Sequence, residues 1–194
     1  MAIDQIDVLL RVVSLLEQLN IPYVIGGSFA SSLHGDPRST NDIDLIAAIK
    51  PEHADILVPE LQAEFYVSGQ AIRRAIMMKS HFNVIHAETI SKVDVFIARE
   101  GGFDEKEIER RQKRILRDNP EQTVYVTTPE DTILAKLSWF RRGNEVSDRQ
   151  WRDVLDMIKV QAGKLDLDYL RRWAQELQVA DLLERAFAQS KDFL

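Results

Sequence analysis

The sequence predicts an α/β fold of the α+β kind: a mixed β-sheet flanked by helices, followed by a C-terminal helical domain. Three observations predict it. Short β-rich runs alternate with helical periods as far as about residue 128, and after Pro129 only helical periodicity remains. Of the 194 residues, 45% are apolar, which is enough to bury a sizeable core. The expected organisation is an α/β domain over residues 1–128 and a helical domain over 129–194.

The elements follow in order. Ile6, Leu9, Leu10, Val13 and Leu16 recur at helical spacing, so residues 4–19 read as an amphipathic helix. "IPYVIGG" is a short strand stopped by glycines, and "SFASSLHG" a short helix with Ser28 near its start and Gly35 as its stop. "DPRST" is a turn and "NDIDLIAAI" a strand. Residues 52–63 read as a helix carrying a potential kink at Pro59. "FYVS" is a strand, "GQAIRRAIM" a helix, and "HFNVIHA" and "KVDVFIA" are strands separated by the turn-like "ETIS". "DEKEIERRQKR" reads as a charged helix and "TVYVTT" as a strand. Helices are expected over 130–141, 148–161, 167–178 and 180–190, where Trp139, Trp151 and Trp173 read as core-filling aromatics.

Charge and composition narrow the function classes. A net charge of −6 gives no global basic field to draw the chain to nucleic acid. Without cysteine there are no disulfides and no thiolate metal sites. "MAIDQIDVLLRVVSLLEQLN" carries aspartates where a secretory signal needs positive charge, and no apolar run reaches the length of a membrane span. A cytoplasmic location without membrane contact is therefore expected. The basic run Arg110, Arg111, Lys113, Arg114 and Arg117 offers an RNA-phosphate patch. The preceding Asp104, Glu105, Glu107 and Glu109 nearly balance it and favour a solvated amphipathic helix. His34, His53, His81 and His86 show no metal-ligand spacing.

The stretch "IGGSFASSLHGDPRSTNDIDLI" carries the chemistry. On a strand, residues i and i+2 share a face, so Asp42 and Asp44 project together while Ile43 and Leu45 face the other way. Two neighbouring carboxylates repel, and each is costly to bury alone. A divalent cation such as Mg²⁺ (or Mn²⁺) resolves both problems, because Mg²⁺ takes one or two carboxylates together with substrate phosphates. Asp94 in "KVDVFIA" can join the pair if its strand lies beside 42–48. Gly26 and Gly27 end a strand and open a helix, where backbone N–H groups and the helix dipole favour a phosphate; Ser28 adds a hydroxyl donor. Together these features describe a nucleoside-triphosphate site without a Walker-type loop.

Gly26-Gly27-Ser28, Asp42-x-Asp44 and the later Asp94 resemble the nucleotidyltransferase fold of the DNA polymerase β superfamily. "PRSTNDIDLI" resembles the corresponding segment of minimal bacterial nucleotidyltransferases related to AbiEii-type toxins, and "TPEDTILAKLSWF" and "SDRQWRDVLDMI" resemble their helical half. The resemblance implies that Asp42 and Asp44 bind Mg²⁺. It implies that Asp94 completes the metal site and acts as base, that Ser28 holds the triphosphate, and that Lys136 contacts the nucleotide. Arg38, Arg152 and Asp153 match positions near that pocket, which is expected in the cleft between the two domains. The implied reaction moves a nucleoside monophosphate from an NTP to a hydroxyl of RNA, a protein or a small molecule. The AbiEii-type likeness adds a toxin-like role with a cognate antitoxin as partner.

Plainer readings stand beside these. Gly-Gly-Ser alone is most often a turn or cap, and Asp-x-Asp alone a strand end reaching solvent. Lys136 also fits the exposed face of its helix, since Ile133, Leu134 and Leu137 supply the apolar side, and Arg152-Asp153 fits a surface charge pair. The alternative function is a nucleotide- or partner-binding module that uses the same pocket without turnover.

Overall fold

The computed structural model describes residues 4–37, 42–118 and 120–191. By contact the chain divides into two units, Met1–Ser28 with Thr40–Thr127 and Phe29–Ser39 with Thr128–Leu194.

The first unit is built on a seven-stranded mixed sheet. Its strands are β1 (Tyr23–Ile25), β2 (Asp42–Ala47), β3 (Phe65–Tyr66), β4 (His81–His86), β5 (Lys92–Ile97), β6 (Gln112–Asp118) and β7 (Glu121–Val126), in the order β3-β4-β5-β2-β1-β7-β6. β2 runs parallel to β5 and antiparallel to β1, while β1 runs parallel to β7. Strict alternation along β2 and β5 buries Ile43, Leu45, Ala47, Val93, Val95 and Ile97 on one face. The helices α1 (Gln5–Gln18), α3 (Ala54–Glu64) and α4 (Gly69–Met78) contribute buried Leu9, Val13, Leu16, Leu57, Leu61, Ile72 and Ile76. α1 opens with a reciprocal capping box between Asp4 and Asp7, which satisfies two of its orphan N–H groups. Val8 and Val12 of this helix are buried, whereas Ile6 and Leu10, named by the periodicity, are only half-buried. On the opposite face of the sheet, Ile108 of α5 (Phe103–Arg110) packs with Val24, Ile46, Ala48 and Ala98.

One sequence reading is corrected here. The charged helix expected to run through "ERRQKR" ends at Arg110, and residues 112–118 form the edge strand β6, hydrogen-bonded to β7. High charge masked the strand: the exposed side chains of this edge are mostly charged, Lys113, Arg114 and Asp118 beside Ile115, and its backbone is paired on one side only. "FYVS" yields only the two residues Phe65–Tyr66.

In the second unit, α6 (Pro129–Arg142), α7 (Asp148–Val160), α8 (Leu167–Glu176) and α9 (Ala180–Lys191) bury Leu134, Leu137, Phe140, Val154, Met157, Leu170, Leu183 and Ala186. Thr128, Ser147 and Asp166 cap α6, α7 and α8 with their side chains. The remainder of α2 (Gly27–His34), which starts in the first unit, belongs here: Gln161 Nε2 donates to the His34 carbonyl at 2.7 Å. Trp139 departs from the core-filling expectation, being 48% exposed with the Arg142 guanidinium 5.2 Å from its ring centroid. Among the described residues, no helix is long and apolar enough to cross a membrane.

Candidate active site

The sheet places the acidic strand residues on one face. β2 and β5 pair in register, with Asp42 opposite Lys92 and Asp44 opposite Asp94. The pleat then puts Asp42, Asp44, Lys92 and Asp94 on the same side. This is also the face on which α5 covers Ile46 and Ala48, so β2 is apolar towards its C-terminal end and acidic at its start.

The glycine turn meets this cluster. Gly26 N–H donates to the Asp44 carbonyl at 2.9 Å, pinning the end of β1 to β2. Gly27, the first residue of α2, has φ +59°, and a Cβ there would lie 1.8 Å from Asp44 Oδ2 and 2.6 Å from its Cγ. The Asp44 carboxylate therefore lies directly against the Gly27 backbone at the start of α2, with Ser28 next along the helix. Only glycine meets both demands: the left-handed backbone and the absence of a side chain.

Asp94 is held from two sides. Asn83 of β4, its register partner, donates from Nδ2 to Asp94 Oδ1. The Lys92 ammonium lies 2.8 Å from Asp94 Oδ2 and 3.4 Å from Asp42 Oδ1, bridging the two strands. The hydrogen bond to Asp94, strengthened by the charges of Asp94 and Asp42, outweighs partial desolvation and raises the Lys92 pKa above its usual value. Lys92 and Asn83 were missed by the sequence reading. The signal for Lys92 was present, since it stands two residues before Asp94 and so shares its face; Asn83 becomes meaningful only through the β4–β5 register.

The donor set suits a hard cation: three carboxylates on adjacent strands, with no sulfur or imidazole among them. Among the described residues, no three His, Asp or Glu side chains close on a single point as a complete ligand cage does. Instead, Lys92 lies between Asp42 and Asp94, and Asp44 lies against Gly27. This suits a cation that completes its shell with substrate phosphates better than one caged wholly by protein.

The remaining candidates lie in the second unit. Lys136 and Asp153 form a buried ion pair, Nζ to Oδ2 2.7 Å, joining α6 to α7. The exposed-face reading of Lys136 and the surface-pair reading of Asp153 are thereby corrected: only 8% and 9% of the two side chains is exposed. Their positions reflect neutralisation, since each charge makes the burial of the other tolerable. Arg152 is exposed and donates from Nε to the Asp148 carbonyl within its own helix. Arg38 lies outside the described residues.

The sequence profile of the aminoglycoside-2''-adenylyltransferase family matches residues 8–157, more than three quarters of the chain. The chain belongs to that family. It is a nucleotidyltransferase. The family match spans Gly26 to Ser28, Asp42, Asp44, Asp94, Lys136 and Asp153 alike. No curated protein sequence matches the chain significantly. Among solved structures, the antibiotic-resistance enzyme ANT(2'')-Ia in complex with adenylyl-2''-tobramycin is similar at TM-score 0.55 and 14% identity, over 90% of this chain and 97% of that one. The lincosamide antibiotic adenylyltransferase LnuA, lincomycin-bound, is similar at TM-score 0.51 and 15% identity, over 78% of this chain and 95% of its own. An antigenic nucleotidyltransferase-like protein from Paracoccidioides brasiliensis is similar at TM-score 0.53 and 19% identity, covering 94% and 91% of the two chains. These likenesses establish a shared nucleotidyltransferase fold.

Proposed function

We propose that this family member transfers a nucleoside monophosphate from an NTP to a hydroxyl group of a small-molecule acceptor, with Mg²⁺ or Mn²⁺ bound at Asp42, Asp44 and Asp94. The observation that carries the reading is the in-register pairing of Asp44 with Asp94 beside the Gly26-Gly27-Ser28 turn. The small-molecule acceptor is supported by family membership and by the antibiotic ligands bound to ANT(2'')-Ia and LnuA. The cation, when bound, neutralises phosphate charge and lowers the pKa of the attacking hydroxyl. Gly27 and Ser28 receive the triphosphate through backbone N–H groups and the Ser28 hydroxyl, while Gly26, whose own N–H is bonded to the Asp44 carbonyl, lets the phosphate approach the turn closely. Asp94, oriented by Asn83 and Lys92, accepts the acceptor's proton. The acceptor oxygen forms a bond to the α-phosphorus, the bond from the α-phosphorus to the β-bridging oxygen breaks, and pyrophosphate leaves with that electron pair. Lys136, paired with Asp153, and Arg38 and Arg152 remain candidate nucleotide contacts on the strength of the sequence resemblance.

The test is to incubate the protein with each NTP, Mg²⁺ and a panel of hydroxylated aminoglycosides and lincosamides, with total RNA and cell lysate as separate acceptors. The expected result is an acceptor mass increased by one nucleoside monophosphate, together with pyrophosphate release. Label on RNA or on a protein would instead support the toxin-like role and its antitoxin partner, which rest on the "PRSTNDIDLI" resemblance. NTP binding with no labelled acceptor in any fraction would favour the module without turnover. A cytoplasmic location belongs to the same reading, since NTP and Mg²⁺ are the proposed substrate and cofactor.

A further inference from the structure

Among the described residues, Lys92 is a cation already built into the carboxylate cluster. It contacts one acidic residue on each of two parallel strands: Asp94 on its own strand, and Asp42, its register partner on the neighbouring one. Asp94 is the more enclosed of the two carboxylates, with 15% of its side chain exposed against 63% for Asp42. The tighter contact is thus the better shielded one, at 2.8 Å. Asn83 holds the other Asp94 oxygen and leaves the ammonium one defined face to occupy. The two oxygens that Lys92 engages, Asp94 Oδ2 and Asp42 Oδ1, belong to the set assigned above to a divalent cation. A monovalent ammonium and a divalent ion cannot both take the same lone pairs at full strength, so occupation by one weakens the other.

We propose that Lys92 competes with the divalent cation for Asp42 and Asp94, holding the two strands' carboxylates together while lowering the site's intrinsic metal affinity. The inference rests on the metal reading of the site. Its consequence is selectivity for the metal–nucleotide complex: free cation meets a resident competitor, whereas cation arriving on a triphosphate brings phosphate oxygens that offer the ammonium a second partner.

Lys92→Met removes the charge and keeps most of the length, and Lys92→Gln is a second neutral variant. Lys92→Arg keeps the charge, and Lys113→Met removes an exposed lysine on β6, three strands from β2. Mn²⁺ binding without nucleotide is read by loss of the free-ion paramagnetic resonance signal, and melting temperature is read in chelator. The neutral Lys92 variants are expected to bind Mn²⁺ about threefold more tightly than wild type, within the range that a partly exposed ion pair can withhold. They are also expected to melt lower in chelator. Lys92→Arg and Lys113→Met should keep the wild-type affinity. Wild type that binds Mn²⁺ alongside neutral Lys92 variants that bind it equally or more weakly would overturn the competition while sparing the metal reading. Equal tightening in Lys113→Met would reduce it to net charge and overturn it. Loss of fold in both neutral variants would make Lys92 a structural tie, and that also overturns it. If neither wild type nor the neutral Lys92 variants take up Mn²⁺ without nucleotide, the competition is overturned; if Mn²⁺ with ATP also leaves the wild-type melting temperature unchanged, the metal reading itself fails and the inference falls with it.

Discussion

Gly27 is the residue at which backbone and chemistry constrain each other most tightly. Its left-handed φ of +59° would cost a non-glycine residue about 1–2 kcal/mol. An added methyl must also push the Asp44 carboxylate aside, since it would sit 1.8 Å from Oδ2. Gly27→Ala is therefore expected to lower unfolding free energy by about 1–2 kcal/mol in urea denaturation. Nucleotidyl transfer should fall further than that loss explains, because Asp44 is displaced. A variant with wild-type stability and turnover would show that the Gly27–Asp44 approach is not needed. Asp94 has a different signature. Asp94→Asn keeps shape and removes the proton acceptor, so nucleotide binding measured by calorimetry should largely survive. Transfer should drop at least ~100-fold, the low end of what a positioned base contributes. Near-wild-type transfer would remove Asp94 from the role of base.

At the scale of elements, two ion pairs tie neighbours together under very different conditions. Lys136 and Asp153 join α6 to α7 in a buried setting. Lys136→Met leaves the Asp153 carboxylate buried without this ammonium and should cost about 3 kcal/mol. The double variant Lys136→Met/Asp153→Leu should recover part of that loss, since the buried carboxylate is removed together with its ammonium. A strictly additive double-mutant cycle would show that the pair is not coupled. Arg117 on β6 reaches the first turn of α1, 2.7 Å from Asp4 and 2.5 Å from Asp7. The hydrogen bond from Arg117 is the main cause that lowers the Asp7 pKa from 3.8 to about 2. A carboxylate whose pKa is lower in the folded state contributes stability above its unfolded value and loses it as pH falls through the folded one. The contribution should thus be complete above about pH 4 and disappear towards pH 2. Melting curves of wild type and Arg117→Met should differ at pH 5 and converge near pH 2. A gap that stays constant across this range would exclude the Asp7 linkage.

For the whole molecule, the proposed site predicts ligand-linked stability. Mg²⁺ with NTP should raise the melting temperature by several degrees at ligand concentrations well above Kd, since a hundredfold excess is worth about 2.7 kcal/mol. Either component alone should do less, because each supplies part of the other's coordination. Differential scanning fluorimetry with each NTP and each divalent ion reads this directly. No shift with any combination would count against the proposed metal–nucleotide site.

The sequence by itself determined most of the strands, their interleaving with helices and the helical tail, because alternation and helical period are local properties visible within a dozen residues. It also determined which face of "NDIDLIAAI" is acidic, since a strand's two-residue repeat leaves no choice once Ile43 and Leu45 must be buried. Neighbourhood was decided only by the tertiary structure. That Asp44 stands beside Asp94 depends on β5 lying next to β2 in parallel, a pairing across some fifty residues that no local pattern encodes. The same register made Lys92 and Asn83 part of the cluster. The strand hidden in "QKRILRD" needed β7 as a partner to outweigh the charge pattern that favoured a helix. Lys136, implied as a nucleotide contact with an exposed helix face as the plainer reading, and Asp153, placed near the same pocket or in a surface pair, become a buried ion pair only once α6 and α7 bring them within 2.7 Å. Burial of a charge depends on its partner, and that partner lies 17 residues away on another helix.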